Sequence, residues 1–167
     1  KKAGVLEEGS AGAVKLIEGG FDIAASGTVT CIDGDMVYAF GHPFYNEGNI
    51  TLPMAHAWVH TVIPSLRNSF KLTSTGNTVG EFNLDYAQGI RGTRGKDPVL
   101  VPLDISIRNK DSGETGSYSF RTVHDKKWTP FLVFLAALYA IDEAEIVGTD
   151  VSVWVESTVK AEGIAPI

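Results

Sequence analysis

Short β-prone runs, each closed by glycine or by a polar turn, mark most of this chain. Ala13-Val14-Lys15-Leu16-Ile17 is the first, closed by Gly19-Gly20, and residues 23–32 form the second. Asp33-Gly34-Asp35 separates that run from Met36-Val37-Tyr38-Ala39-Phe40. Two such runs around Asp-Gly predict a hairpin, because glycine supplies the positive φ that a tight turn needs. Asp33 and Asp35 are accordingly read as turn residues rather than as a paired acid and base. Gly41-His42-Pro43 ends the next strand, since proline has no N–H to give to a ladder. Residues 44–50 read as a loop. β character returns over residues 51–63 and stops at Pro64. Residues 70–72, 78–84, 99–107 and 117–123 are further strand candidates. Leu103, Ile105 and Ile107 alternate with Asp104, Ser106 and Arg108, the pattern of a half-buried strand.

One segment carries a helical signal. Thr129 suits an N-cap and Pro130 the first helical position. Residues 131–141 are apolar on every side, which predicts a buried helix near residues 130–142. Val151, Val153 and Val155 then alternate with Ser152 and Glu156, which predicts a final strand. The fold expected is mainly β with one buried helix, and residues 1–167 form a single domain.

Composition narrows the function classes. With 44% hydrophobic and 20% charged residues, the chain has the apolar content of a folded core, which excludes a disordered tail. A single cysteine excludes a disulfide scaffold, and Cys31, flanked by Thr30 and Ile32, is expected as a small buried strand thiol rather than a nucleophile. A net charge of −6 argues against nucleic acid as a partner. The longest apolar run, residues 131–141, falls short of the roughly 20 residues a spanning helix needs, so no membrane-spanning segment is expected.

Several constellations could carry chemistry. His56 and His60 have the i,i+4 spacing of a helical zinc pair, but Ala57 stands where a catalytic glutamate would follow the first histidine. Their segment reads as a strand, so no metal or other cofactor is expected there. Ser157-Thr158-Val159-Lys160 matches S-x-x-K, a spacing that works on a helix, yet it ends a β run. Gly89-Ile90-Arg91-Gly92-Thr93-Arg94-Gly95 reads as a glycine-rich turn with two arginines, able to cradle an anion but matching no nucleotide fingerprint. Ser69 and Lys71 would share a strand face, which makes Ser69 a weak nucleophile candidate. His42, between a glycine and a proline at the mouth of a strand, is the candidate general base.

Gly27-Thr28-Val29-Thr30, followed by a short hairpin and Ala39-Phe40-Gly41-His42-Pro43-Phe44, resembles the G-T-[VI]-T…[AG]-x-G-H-P signature of the SpoIVB-type serine peptidases. Glu8-Gly9-Ser10-Ala11 is similar to that family's P-G-S-A entry, with Glu8 in place of proline. Leu52-Pro53-Met54, Pro64-Ser65-Leu66 through Ser69-Phe70-Lys71, Val79-Gly80-Glu81 and Gly89-Ile90-Arg91-Gly92 extend the likeness over residues 4–108. The resemblance implies a chymotrypsin-like β-barrel, His42 as general base, and an extracytoplasmic or cell-envelope location. The family's nucleophile lies in a G-M-S-G-S-P-like motif, which this sequence lacks. The family's aspartate cannot be placed by motif either. The resemblance therefore leaves two expectations. One is a non-catalytic module that binds a protein or peptide or serves the envelope structurally. The alternative is an active serine endopeptidase whose nucleophile lies outside this chain or goes unrecognised within it.

Overall fold

The computed structural model of the protein describes residues 6–67, 69–144 and 152–160. Its strands are β1 (Ala11–Gly19), β2 (Ile23–Asp33), β3 (Met36–Ala39), β4 (Gly48–Ile63), β5 (Phe70–Tyr86), β6 (Gly89–Arg94), β7 (Leu100–Arg108) and β8 (Thr115–Val123), followed by the helix α1 (Trp128–Glu143). The sheet is antiparallel with strand order β2-β3-β6-β5-β4-β1-β8-β7, and β2 pairs with β1 as well. The pairings thus run full circle from β1 through β2, β3, β6, β5 and β4, and β8 with β7 extends outward from β1.

β1 explains why the first apolar run is continuous rather than alternating. Residues 11–17 pair with β2 along one edge, while residues 12–14 pair with β4 and 17–19 with β8 along the other. Residues 12–18 are also all buried, so both faces of the strand are covered and the period-2 signal is lost. Val14, Leu16 and Ile17 are buried there in one cluster with Val29, Val37, Met54, Phe82, Ile90 and Phe120.

The Asp-Gly hairpin forms, one position away from the simplest register. Asp33 pairs with Met36, so Gly34 is the first central residue of the turn, with φ 58°. That is the glycine position of a type II′ turn. β5 runs unbroken through the polar residues 73–77, which the sequence pattern leaves between two strands. Their hydroxyls are used across the fold: Thr73 donates to Ser26 Oγ at 3.0 Å and Thr75 to Asp22 Oδ2 at 3.2 Å. Residues 89–94 form a strand instead of the expected glycine-rich turn. A side chain at Gly92 would overlap the Glu81 carbonyl, and one at Gly80 would overlap that of Thr93. These glycines let β5 and β6 approach rather than letting the chain turn.

α1 starts slightly earlier than its sequence signals suggest. Asp125 Oδ1 accepts the N–H groups of Lys127 and Trp128, both at 2.8 Å, and so caps the helix in place of Thr129. Thr129 instead donates to the Val123 carbonyl at 2.6 Å. Pro130 falls within the first turn, where its missing N–H costs no intrahelical bond. The expectation of a fully buried helix is corrected. Only Leu132, Ala136 and Ala140, one stripe at i, i+4 and i+8, are buried. Phe131 and Phe134 are 50% and 56% exposed, because β8, β7 and β1 cover the helix from one side. This helix is not long and apolar enough to cross a membrane, and no other helix among the described residues is either.

Two further expectations change. The final strand does not form among the described residues: Val151 lies outside them, and residues 152–160 are exposed, without regular structure and paired with none of the described strands. Cys31 is exposed, since it lies on the outward side of β2.

Candidate functional site

The His42 turn is built by two halves of the sequence signature packing together. Phe40 N–H donates to the Thr28 carbonyl at 2.9 Å. The Phe40 ring lies directly on Gly27, occupying the space a side chain there would need. Phe40 and Gly41 both take positive φ, 76° and 73°. For a phenylalanine that conformation is strained, at a cost of about 1–3 kcal/mol, and the surrounding contacts must hold it. The chain thereby reverses, and His42 projects into solvent with its ring 5.8 Å from that of Phe40.

The loop that follows is fixed from beneath by a residue to which the sequence signals do not point. Asp85 is wholly buried at the end of β5, and its carboxylate accepts three consecutive backbone N–H groups. Phe44 donates to Oδ1 at 2.8 Å, and Tyr45 and Asn46 donate to Oδ2 at 2.6 and 2.7 Å. Three charge-assisted bonds satisfy a buried carboxylate that would otherwise be costly. From above, Tyr45 stacks on Trp128 of α1 with ring centroids 4.9 Å apart. Burial, with Glu47, Asp125 and Asp85 nearby, pushes the Tyr45 hydroxyl above its ordinary pKa.

His42 itself has half of a general base's geometry. Nδ1 lies 2.8 Å from the Pro43 carbonyl oxygen. A carbonyl can only accept, so in the neutral ring the proton sits on Nδ1 and Nε2 carries the lone pair. No serine or threonine hydroxyl among the described residues bonds that nitrogen.

The other candidates lie apart from this arrangement. Ser69 Oγ accepts the Ser65 N–H at 3.1 Å and donates to the Ser65 carbonyl at 3.3 Å, so it closes a local turn. Lys71 donates to Thr28 Oγ1 at 2.9 Å and makes no dyad with Ser69. His56 and His60 are on strand β4. His60 Nε2 meets Ser74 Oγ at 2.6 Å on the exposed surface, and no carboxylate among the described residues bonds its other nitrogen. His56 Nδ1 is buried without a partner among the described residues, and desolvation lowers its pKa below the ordinary 6.5. No group of three or more potential metal ligands occurs among the described residues. Ser157 and Lys160 fall in the irregular exposed segment rather than on a helix. The Cys31 thiol is pushed up by its hydrogen bond to Glu8, then by desolvation and by the charges of Glu8 and Asp33, the opposite of an activated nucleophile.

Comparison with known proteins yields no family model, no curated protein and no solved structure that matches this chain.

Proposed function

We propose that this chain is a SpoIVB-type peptidase-like domain whose ring of strands is a chymotrypsin-like β-barrel, and that it serves the cell envelope as a non-catalytic protein- or peptide-binding module. The observation that carries this reading is the state of His42. Its ring is oriented by the Pro43 carbonyl, and no hydroxyl among the described residues hydrogen-bonds its Nε2, the bond a nucleophile would make. The sequence has no G-M-S-G-S-P-like segment to supply one. The rigid seat under the loop, with three amides on Asp85, suits a surface that presents a fixed shape to a partner.

The alternative, an active endopeptidase with His42 as base, draws support from that same free nitrogen, which is poised to accept a serine proton. A fluorophosphonate probe separates the two. The binding-module reading expects no labelled serine, and expects His42→Ala to cost about 0.5–1.5 kcal/mol of stability for its lost hydrogen bond. Labelling of one serine, Ser69 being the first to check, that disappears in His42→Ala at unchanged melting temperature would restore the enzyme.

A further inference from the structure

Two clefts differ in one respect that decides what each can bind. The first, about 360 Å³, is lined by Lys15, Glu18, Asp22 and Arg121. Its charges answer one another: Lys15 pairs with Glu18 at 3.3 Å and with Asp22 at 3.1 Å, and Arg121 pairs with Glu18. Each charged side chain lining it already has a partner of opposite charge. The second, about 230 Å³, lies on the outer side of β3, β6 and β5, and Thr30, Tyr38, Leu84, Tyr86, Gln88 and Arg91 line it. Arg91 makes no side-chain hydrogen bond or ion pair with any described residue, although it is half-buried.

The register explains how Arg91 comes to stand there. It pairs directly with Tyr38 on β3 and with Leu84 on β5, so the three side chains form one row across the sheet. The other arginine of the glycine-rich stretch is already used, since Arg94 donates to the Gly34 carbonyl at 2.6 Å. Arg91 is the one charged side chain lining this cleft, and its guanidinium has no acceptor among the described residues. Its planar fork of donors matches a carboxylate. Tyr38 and Tyr86, 36% and 50% exposed, stand beside it as aromatic surfaces for an adjoining apolar group. The cleft ends against the His42 turn: a side chain at Gly89 would come within 2.7 Å of the Ala39 carbonyl and 3.3 Å of Gly41 N.

We propose that this cleft binds a carboxylate-bearing peptide segment, with Arg91 taking the carboxylate and the two tyrosines packing on the apolar residue next to it. The proposal rests on the peptide-binding reading for its class of partner. Its chemistry requires no catalysis and no particular role for His42.

The test is a titration of the isotopically labelled protein, following the Arg91 side-chain Nε–H and the Tyr38 and Tyr86 amides by NMR. The probes are acetyl-Leu-Leu with a free terminal carboxylate, the same peptide as its amide, and acetyl-Leu-Glu-Leu-amide. At least one carboxylate probe is expected to shift these signals at millimolar concentration, and the plain amide is not. A response to the first alone assigns a chain end, to the third alone an internal acidic side chain, and to both a carboxylate in either setting. Arg91→Gln, with a dispersed spectrum as proof of folding, is expected to weaken binding about tenfold or more. Arg108→Gln removes the same charge from β7 and is expected to leave binding unchanged. Absence of any shift, equal shifts with the amide, or undiminished binding to Arg91→Gln would overturn the proposal. Fluorophosphonate labelling bears on the non-catalytic reading alone, so the two can fail separately.

Discussion

The ring of Phe40 occupies the side-chain space of Gly27. Neither residue can be altered alone without disturbing the other, and Phe40 also carries the strained backbone that delivers His42. Gly27→Ala is therefore expected to destabilise the fold by about 1–3 kcal/mol through overpacking. The loss should shrink in a Phe40→Ala background. Urea denaturation of the four species in a double-mutant cycle measures that coupling, and additive losses would contradict it.

Asp85→Asn keeps the shape of the side chain but removes the charge and one acceptor. One amide of the 44–46 segment then faces an NH₂ group. The expected cost is about 2–3 kcal/mol. Hydrogen exchange gives the local readout: the amides of Phe44, Tyr45 and Asn46 should lose protection before the β1 amides do.

His56 imposes a pH dependence whose sign follows from burial. Its folded pKa lies below its ordinary 6.5, because the protonated ring is poorly solvated at that site. The folded state thus binds fewer protons than the unfolded chain in this window. Stability is at its full value above the unfolded pKa and falls as the pH drops through the folded one. The difference between the native protein and His56→Gln should be flat at neutral and higher pH and should move against the native protein on acidification. Chemical denaturation at a series of pH values checks this, and a difference of opposite sign would refute it.

The two sides of α1 should respond differently. Leu132→Ala, in the buried stripe, is expected to cost about 2–5 kcal/mol by leaving a cavity. Phe134→Ser, on the exposed side, should change stability by no more than about 0.5 kcal/mol. Thermal melts of both variants test the assignment of faces.

The strands were legible where period or turn chemistry marked them. Asp33-Gly34 marked the β2–β3 hairpin, and the alternation of Leu103, Ile105 and Ile107 marked β7. β6 was hidden because Gly92 serves close strand approach, whereas glycine in a sequence first suggests a turn. The exposed face of α1 was hidden because an all-apolar run carries no information about which side its neighbours cover. At the site, the sequence pointed to His42 but not to Asp85, whose role rests on bonds to backbone some 40 residues earlier. An aspartate at a strand end has no signal of its own. Arg91 lay inside a stretch read as a glycine-rich turn able to cradle an anion, but the structure places it in strand β6, opposite Tyr38.

The three-way pairing of β1 has a consequence for how the chain folds. β1 precedes by about a hundred residues the strand that pairs with its residues 17–19, β8. Until Thr115–Val123 is made, Ile17, Glu18 and Gly19 present an open edge next to apolar side chains. Pairings this distant in sequence are slow to close and leave such edges available to other chains meanwhile. A chain truncated before β8 should therefore be caught as an aggregating species, and the synthesis of β8 is the step at which this edge of β1 is closed.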